Sequence, residues 1–168
     1  MKKIIFFFLL SNVAIFGQTT SISTDIYISR KGLYQIKYNS EKWHKNLEKT
    51  AWDIQFKDKY NLLTAYFMEF DSFIPENKLK TTIKGQFEGL GKIKDLKIYK
   101  KTINDLAGNY FEFEFIFKGY SYKYQGFIYN GKGGAIELQF GMQSEAVQQF
   151  QHLVDELCNN LTLYKTES

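Results

Sequence analysis

The chain has 168 residues and a formal net charge of +4, and 18% of its side chains are aromatic. That charge is too small for general nucleic-acid binding, which needs many lysine and arginine contacts to phosphate. The single cysteine, Cys158, excludes an intrachain disulfide, and a single proline leaves little room for a stiff linker. Length and composition together predict one compact domain rich in β-strands.

Residues 1–17 have the three parts of a secretory signal peptide. Lys2 and Lys3 form a basic start, residues 4–10 are an unbroken apolar run, and Gly17 is the small residue at the expected cleavage point. The apolar run is shorter than the roughly 20 residues that a bilayer-spanning helix needs. We therefore expect an exported protein, periplasmic or extracellular, with no transmembrane segment after cleavage.

A single domain is predicted after the signal peptide. Residues 18–24 are expected to form a flexible lead-in, and the domain covers residues 25–165. Alternating apolar residues indicate the first two strands of the domain, near 25–29 and 33–38.

The chain between these strands and the first helix is predicted to hold a helical turn and two strands. Ser40 begins the turn, which carries Trp43 and Leu47 four residues apart. One strand passes through Ile54, and the next, residues 62–70, has apolar residues on both faces. The second of these strands should therefore be central and covered on both sides.

The first helix is predicted after Pro75, because proline suits the first turn of a helix. Its apolar residues follow at helical spacing, namely Leu79, Ile83, Phe87 and Leu90. A basic strand is expected at about 95–103, and the segment 107–109 (Ala-Gly-Asn) is predicted to turn the chain.

The most regular pattern runs through residues 110–140. A tight turn at Lys118-Gly119 predicts cross-strand pairs of Phe117 with Tyr120, Phe115 with Tyr122, Phe113 with Tyr124, Phe111 with Gly126, and Glu114 with Lys123. A loop over residues 130–134 then predicts Tyr129 opposite Ala135, Ile128 opposite Ile136, Gly126 opposite Leu138, and Tyr124 opposite Phe140. The two turns predict a three-stranded antiparallel meander with one shared apolar face.

The last helix is predicted to begin at Ser144, which caps it. One apolar stripe follows it at helical spacing: Ala146, Val147, Phe150, Leu153, Val154, Leu157 and Cys158. Residues 161–164 add a last short strand. The order of strands and helices, dominated by hairpins, predicts an α+β fold in which helices flank an antiparallel sheet.

Several of these segments together resemble the PsbP/Mog1-like superfamily, including its exported bacterial members of unknown function. The similar features are the opening strand 32–38 followed by Ser40 and Trp43, the mid-chain helix after 73–75, the long strands of 110–140, and the helix 144–158 before 161–163. The resemblance implies an α/β/α sandwich around an antiparallel sheet. It also implies binding or assembly roles more often than enzymatic ones, and it transfers no site residues.

The residue types that most often bind metals show no matching pattern. His44 and His152 each lack a second histidine one helical turn away, and Cys-x-x-Cys is absent, so we predict no metal site. Cys158 is expected to be an inert core thiol that points away from His152 on the same helix. The segment 131–134 (Gly-Lys-Gly-Gly) lies between strands and is therefore interpreted as a hairpin turn, not a phosphate loop.

The carboxylates that could form a hydrolytic pair are Asp53, Asp71, Glu112 and Glu114. Spacing in the sequence cannot bring two of them together, and Glu112 and Glu114 are first interpreted as the solvated face of a strand. We therefore predict no catalytic residue and no cofactor.

The one charge feature with a functional interpretation is basic. Residues 78–101 are rich in lysine, beginning with Lys78, Lys80 and Lys84. The lysines that follow form a possible patch for an anionic partner: Lys92, Lys94, Lys97, Lys100 and Lys101. Its partner would be a lipid headgroup, a cell-wall polymer or an acidic protein. An edge strand that its lysines protect from aggregation explains the pattern at least as well.

Three functions are weighed on this basis. The leading hypothesis is an exported non-catalytic module that binds a protein or another component of the cell envelope. The second is a carrier of a small apolar ligand in a pocket between sheet and helix. The third is a hydrolytic enzyme, which would need a cleft that gathers His44 with carboxylates.

Overall fold

The computed structural model of the protein describes residues 23–46 and 51–165. The predicted signal peptide and most of the predicted lead-in lie outside the described residues. Thr24, which we placed in the lead-in, already begins the first strand.

The described residues form ten strands and two α-helices, with a short 3-10 turn before each helix. The strands are β1 (Thr24–Ile28), β2 (Tyr34–Asn39), β3 (Trp43–Asn46), β4 (Ile54–Asp58), β5 (Leu63–Glu69), β6 (Lys92–Ile103), β7 (Leu106–Phe117), β8 (Tyr120–Gly131), β9 (Gly134–Gln143) and β10 (Leu161–Leu163). The helices are α1 (Leu79–Gln86) and α2 (Val147–Asn159). In the parts of the chain that the structure describes, neither helix is long and apolar enough to cross a membrane.

The strands form two antiparallel sheets. The large sheet has seven strands in the order β3-β4-β5-β9-β8-β7-β6, and the small sheet has the order β1-β2-β10. Helix α2 and the small sheet pack on one face of the large sheet, while α1 packs on the other. The α+β class and the helix–sheet–helix layering are confirmed.

Each face of the large sheet has its own apolar core. The α2 core joins side chains of α2 and β2, such as Val154 and Ile36, to Phe67 and Leu138 of the large sheet. The α1 core joins the two buried residues of α1, together with Phe87, to the alternate phenylalanines of β7. Strand β5 is interior, as predicted, but only its α2 side is fully buried.

The predicted register between β7 and β8 is confirmed. All five predicted pairs are present, from Phe117 with Tyr120 to Phe111 with Gly126. The turn is tight because Lys118 and Gly119 both adopt positive φ values, 49° and 84°, as two-residue hairpin turns require.

The predicted register between β8 and β9 is wrong by one residue. The chain turns within Lys132-Gly133, so that Gly131 pairs with Gly134, and Ile128 pairs with Glu137 instead of Ile136. A positive φ of 89° at Gly133 and of 119° at Gly134 allows this shorter turn.

The shift moves alternate residues of β9 to opposite cores. Ile136, Leu138 and Phe140 belong to the α2 core, whereas Phe113 and the other buried phenylalanines of β7 belong to the α1 core. The expectation that residues 110–140 share one apolar face is therefore wrong. Glu137 takes a place under α1 that the prediction assigned to an apolar residue.

Three local predictions also need correction. The segment at Trp43 is strand β3, because Trp43 pairs with Asp58 and its ring is buried in the α2 core; Leu47 lies outside the described residues. The turn after β6 comes at 104–105, and β7 continues through Gly108, which the Phe127 ring covers.

Ser144 does not cap α2. Its hydroxyl is 2.8 Å from that of Ser121, and a 3-10 turn over Ser144–Ala146 precedes the α-helix. The apolar stripe of α2 is nevertheless confirmed, since the five buried residues of the helix are Phe150, Leu153, Val154, Leu157 and Cys158.

Phe113→Ala tests the α1 core. The Phe113 side chain is 1% exposed, and its ring centroid lies 5.0 Å from that of Phe87 and 5.4 Å from that of Tyr124. Removing the ring leaves a cavity, so we expect the free energy of unfolding to fall by about 3–5 kcal/mol in urea titrations. Phe117→Ala on the same strand is the control, because Phe117 is 37% exposed and should cost less than half as much. Equal losses would contradict the packing.

Candidate binding site

The lysines of the predicted patch all lie on β6, the edge strand of the large sheet, but they do not form one surface. Lys94 and Lys97 face the α2 side, opposite Glu114 and Glu112 of β7. Lys100 faces the α1 side, where its ammonium pairs with Glu76.

Several of these ammonium groups are already engaged. The Lys97 ammonium lies 3.6 Å from the Glu112 carboxylate, and Lys101 sits 4.1 Å over the ring of Tyr110. Within the described part of the chain, Lys92 and Lys94 form no ion pair. Of the five predicted lysines, those at the start of β6, Lys92 and Lys94, are therefore the ones whose charge is open to a partner.

Lys92 and two lysines of α1 line the same concavity of the described surface. This concavity has a volume of about 700 Å³ and lies between α1 and the start of β6. We call it the α1–β6 concavity; its lining residues are Lys80, Thr81, Lys84, Gly85, Phe87, Glu88, Gly91, Lys92 and Ile93.

Local sequence explains the shape of the α1–β6 concavity. Lys80 and Lys84 are four residues apart and so share one side of α1. Phe87 and Ile93 turn inward to the α1 core and supply an apolar floor. The backbone of Gly91 packs closely against β7, since a Cβ there would be 2.6 Å from the Phe115 ring. The result is an apolar floor with the two lysines of α1 and one carboxylate, Glu88, at its rim. Lys92 lines the concavity from the edge of β6, where its pairing with Ile116 gives it the same facing as Lys94.

A buried carboxyl group lies under the same helix. Glu137 is 0% exposed, and its Oε2 accepts a hydrogen bond of 2.7 Å from the side-chain amide of Gln86, the last residue of α1. Within the described residues, Oε1 of Glu137 and Oε1 of Gln86 have no hydrogen-bond partner. Burial raises the pKa of Glu137 to about 7, and the Gln86 hydrogen bond lowers it in part.

A second polar cluster ties the small sheet to the large one. The Lys31 ammonium donates to the carbonyl oxygen of Phe70 at 2.6 Å and lies 3.0 Å from the Asp71 carboxylate. Arg30 donates to Asp53 at 3.0 Å. The hydrogen bond and charge of Lys31 lower the pKa of Asp71. These contacts hold the β1–β2 turn in place, so the carboxylates Asp53 and Asp71 serve the fold.

Glu112 also has a structural role. Its carboxylate accepts a hydrogen bond of 2.7 Å from Lys123, which together with nearby Lys97 lowers its pKa. Lys123 lies opposite Glu114 in the strand register, as predicted, yet its ammonium reaches diagonally to Glu112.

The histidines and the cysteine lie apart from the concavity. His44 is exposed on β3, His152 is exposed on α2, and Cys158 is buried in the α2 core. Burial raises the pKa of the Cys158 thiol to about 12. In residues 23–46 and 51–165, no three residues of the His, Cys, Asp and Glu types gather closely enough to hold a metal ion.

Comparison with known proteins gives similarity at the level of structure. No protein-family model and no curated protein matches the chain. The cyanobacterial PsbP protein CyanoP from Synechocystis sp. PCC 6803 superposes with a TM-score of 0.59 and 14% identity, over 88% of this chain and 96% of its own. The chain has the PsbP/Mog1-like fold.

Two further structures with a similar fold come from other bacteria. LpqN of Mycobacterium tuberculosis, described as involved in cell envelope biogenesis, gives a TM-score of 0.52 at 10% identity over 88% of each chain. A protein of Bacteroides thetaiotaomicron VPI-5482 gives 0.54 at 15% identity, over 85% of this chain and 49% of the other. At these identities the PsbP/Mog1-like likeness establishes the fold alone.

Sequence reasoning missed Glu137 and Gln86. The predicted β8–β9 register placed Glu137 on the face opposite the β7 phenylalanines, where a carboxylate is unremarkable. A signal was present, since the two glycines 133 and 134 permit a two-residue turn and the corresponding shift of one residue.

Glu137→Gln should remove a specific pH dependence of stability. The pKa of about 7 in the folded state lies above the ordinary value of 4.5, so the wild type loses stability as pH rises between these values and is level above them. The side-chain amide of glutamine keeps its N–H donors at every pH, so the variant lacks this pH dependence. We expect the variant's advantage in urea titrations to grow from near zero at about pH 4.5 to on the order of 3 kcal/mol at about pH 8. A difference that does not vary with pH would refute the assignment.

Cys158 should be unreactive in the folded protein. The side chain is 2% exposed, and its raised pKa leaves little thiolate at neutral pH. We expect a disulfide-exchange reagent to modify it only in denaturant, at a rate set by unfolding. Fast modification of the native protein would show that the α2 core opens.

Proposed function

We propose that the protein is an exported, non-catalytic binding or assembly module of the bacterial cell envelope that binds an anionic component in the α1–β6 concavity. The observation that carries this proposal is a concavity lined by three lysines, Lys80, Lys84 and Lys92, over a floor formed by Phe87 and Ile93. Export rests on the signal-like segment 1–17.

The chemistry of the rim favours an anion attached to an apolar group. Ammonium groups that converge on a concavity raise the local concentration of anions, and the low-dielectric floor strengthens that field. Phe87 and Ile93 offer apolar surface in the same place. Glu88 at the rim disfavours a purely polyanionic ligand and favours one whose charge is confined to one end.

This chemistry also bears on the carrier hypothesis. The concavity lies between helix and sheet, where that hypothesis expects a pocket, but lysines surround it. A wholly apolar ligand would leave those charges without a counterpart. An amphiphile with an anionic head uses both parts of the site.

LpqN, a structurally similar protein, is described as involved in cell envelope biogenesis, and the cell envelope is also where we propose that this protein acts. The likeness supports a role in the envelope by analogy of fold. The binding argument itself depends only on the lysines and the apolar floor of this chain.

Site-specific crosslinking in living cells tests the proposal. A photoreactive residue at Thr81, inside the concavity, should capture an anionic envelope component, while one at exposed Thr102 on the far end of β6 should not. Adding K80Q/K84Q/K92Q should lower the yield at Thr81 about tenfold or more, because the rim loses its positive charge.

The matched control removes three exposed lysines elsewhere, K37Q/K45Q/K132Q. This variant changes net charge equally and should leave the yield unchanged. Equal loss in both triple variants would indicate general electrostatics and would overturn the assignment of the site.

A further inference from the structure

The wall of the α1–β6 concavity is a short helix held at its two ends. In the segment that leads into the helix, the side chain of Asn130 accepts a hydrogen bond from the Ile74 backbone N–H at 3.0 Å and donates to the Ile74 carbonyl oxygen at 2.8 Å. At its end, Gln86 and Phe87 fasten the last turn to the sheet. Between these ends, Leu79 and Ile83 pack in the α1 core, so the polar contacts act on a helix that already rests on the sheet.

The C-terminal attachment combines an aromatic and a polar contact on neighbouring residues. The Phe87 ring centroid lies 5.0 Å from that of Phe113, 5.1 Å from that of Phe115 and 4.8 Å from that of Tyr124. Gln86 donates to Glu137 at 2.7 Å. Because Phe87 also lines the concavity, any movement of this turn changes the binding surface.

The contact between Gln86 and Glu137 lacks one hydrogen-bond donor, which a proton on Glu137 would supply. A carboxylate can only accept hydrogen bonds, so Glu137 Oε1 and Gln86 Oε1 are two acceptors with no donor among the described residues. A protonated Glu137 has one hydroxyl to donate. A second hydrogen bond to the Gln86 carbonyl oxygen would then close a ring of two bonds between the side chains.

We infer that the protonation of Glu137 positions the last turn of α1, and that the α1–β6 concavity therefore binds its anionic ligand more tightly when Glu137 is protonated. This inference rests on the proposed function for its binding part. The positioning part rests on the contact between Gln86 and Glu137 alone.

The expected pH dependence arises from Glu137 itself and not from a neighbouring titratable group. Its strand neighbours are Met68 on β5 and Ile128 on β8, which do not titrate. Further along those strands on the same side lie Tyr66 and Tyr124, and burial raises the pKa of Tyr124 to about 12.

The charged groups of the packed helix lie at the concavity and outside the contact between Gln86 and Glu137. Lys80 and Lys84 line the concavity on α1, and Glu88 follows the helix at the rim. No charged side chain contributes to the pKa of Glu137, which burial raises and the Gln86 hydrogen bond partly lowers. His44 on β3 is three strands away in the sheet order, and His152 lies on α2 across the sheet.

The expected direction follows from the cost of a buried charge. Below about pH 7 the neutral acid stays buried and holds the helix turn in place. Above it, the carboxylate gains free energy by contact with water, which requires the last turn of α1 to lift. Binding in the concavity should therefore weaken as pH rises through neutrality.

Hydrogen exchange tests the positioning part without any ligand. The protein recovered after export is compared with E137Q and Q86L, and amide protection of residues 83–88 is corrected for intrinsic exchange at each pH. We expect wild-type protection to fall at least tenfold from about pH 6 to about pH 8, and E137Q to remain protected. Q86L should lose the pH dependence and show low protection at both pH values, because it lacks the side chain through which Glu137 holds the turn.

These outcomes separate positioning from simple packing. Equal pH dependence in wild type and E137Q, or in wild type and Q86L, would overturn the inference. Should E137Q fail to fold, the pH dependence of Q86L still decides the question.

Binding of anilinonaphthalene sulfonate tests the second part. This probe joins an aromatic body to a sulfonate whose charge does not change between about pH 5 and pH 9. Its affinity for wild type should fall several-fold over the same interval, that for E137Q should stay constant, and K80Q/K84Q/K92Q should bind weakly throughout. If K80Q/K84Q/K92Q binds the probe as tightly as wild type, both the proposed function and the pH dependence of binding are overturned. Binding that needs the lysines but varies equally in wild type and E137Q overturns only the role of Glu137.

Discussion

The two-residue turn at Lys132-Gly133 determines which side chains of β9 face which core. With Gly131 paired to Gly134, Leu138 faces the α2 core and Glu137 faces α1. Strand β9 is the fourth of seven strands and is buried along nearly its whole length, so a slip of one residue would exchange an apolar row with a polar one. Gly134 enforces the turn, because a Cβ there would lie 2.2 Å from the Phe70 carbonyl oxygen.

The same register places a carboxyl group beneath the shorter helix. Buried carboxylates need a donor or a cation, and among the described residues the amide of Gln86 is the one donor to Glu137. The sheet therefore couples a proton to the helix that forms one wall of the α1–β6 concavity. On the other face, Ile136, Leu138 and Phe140 of β9 pack against α2 and the small sheet in an apolar core.

Much of the fold could be predicted because its signals are local. The alternation of Phe111 to Phe117 and the short turn after it define the first hairpin, and the stripe of α2 defines a helix with one buried side. Strand β3 was missed because its pairing with β4 is not visible in a segment where a tryptophan and a leucine sit four residues apart. The second hairpin was misjudged because two adjacent glycines fit both a long loop and a short turn.

The sequence by itself determined the α+β class, the two helices, the first hairpin and the basic character of residues 78–101, because these depend on the period of apolar residues and on composition. Only the tertiary structure decided that the lysines of β6 divide between two faces, that Lys92 joins Lys80 and Lys84, and that Glu137 is buried. The physical reason is that strand register and helix placement bring together residues distant in the chain. A free energy difference between two registers arises from the whole packed sheet and not from the segment that turns.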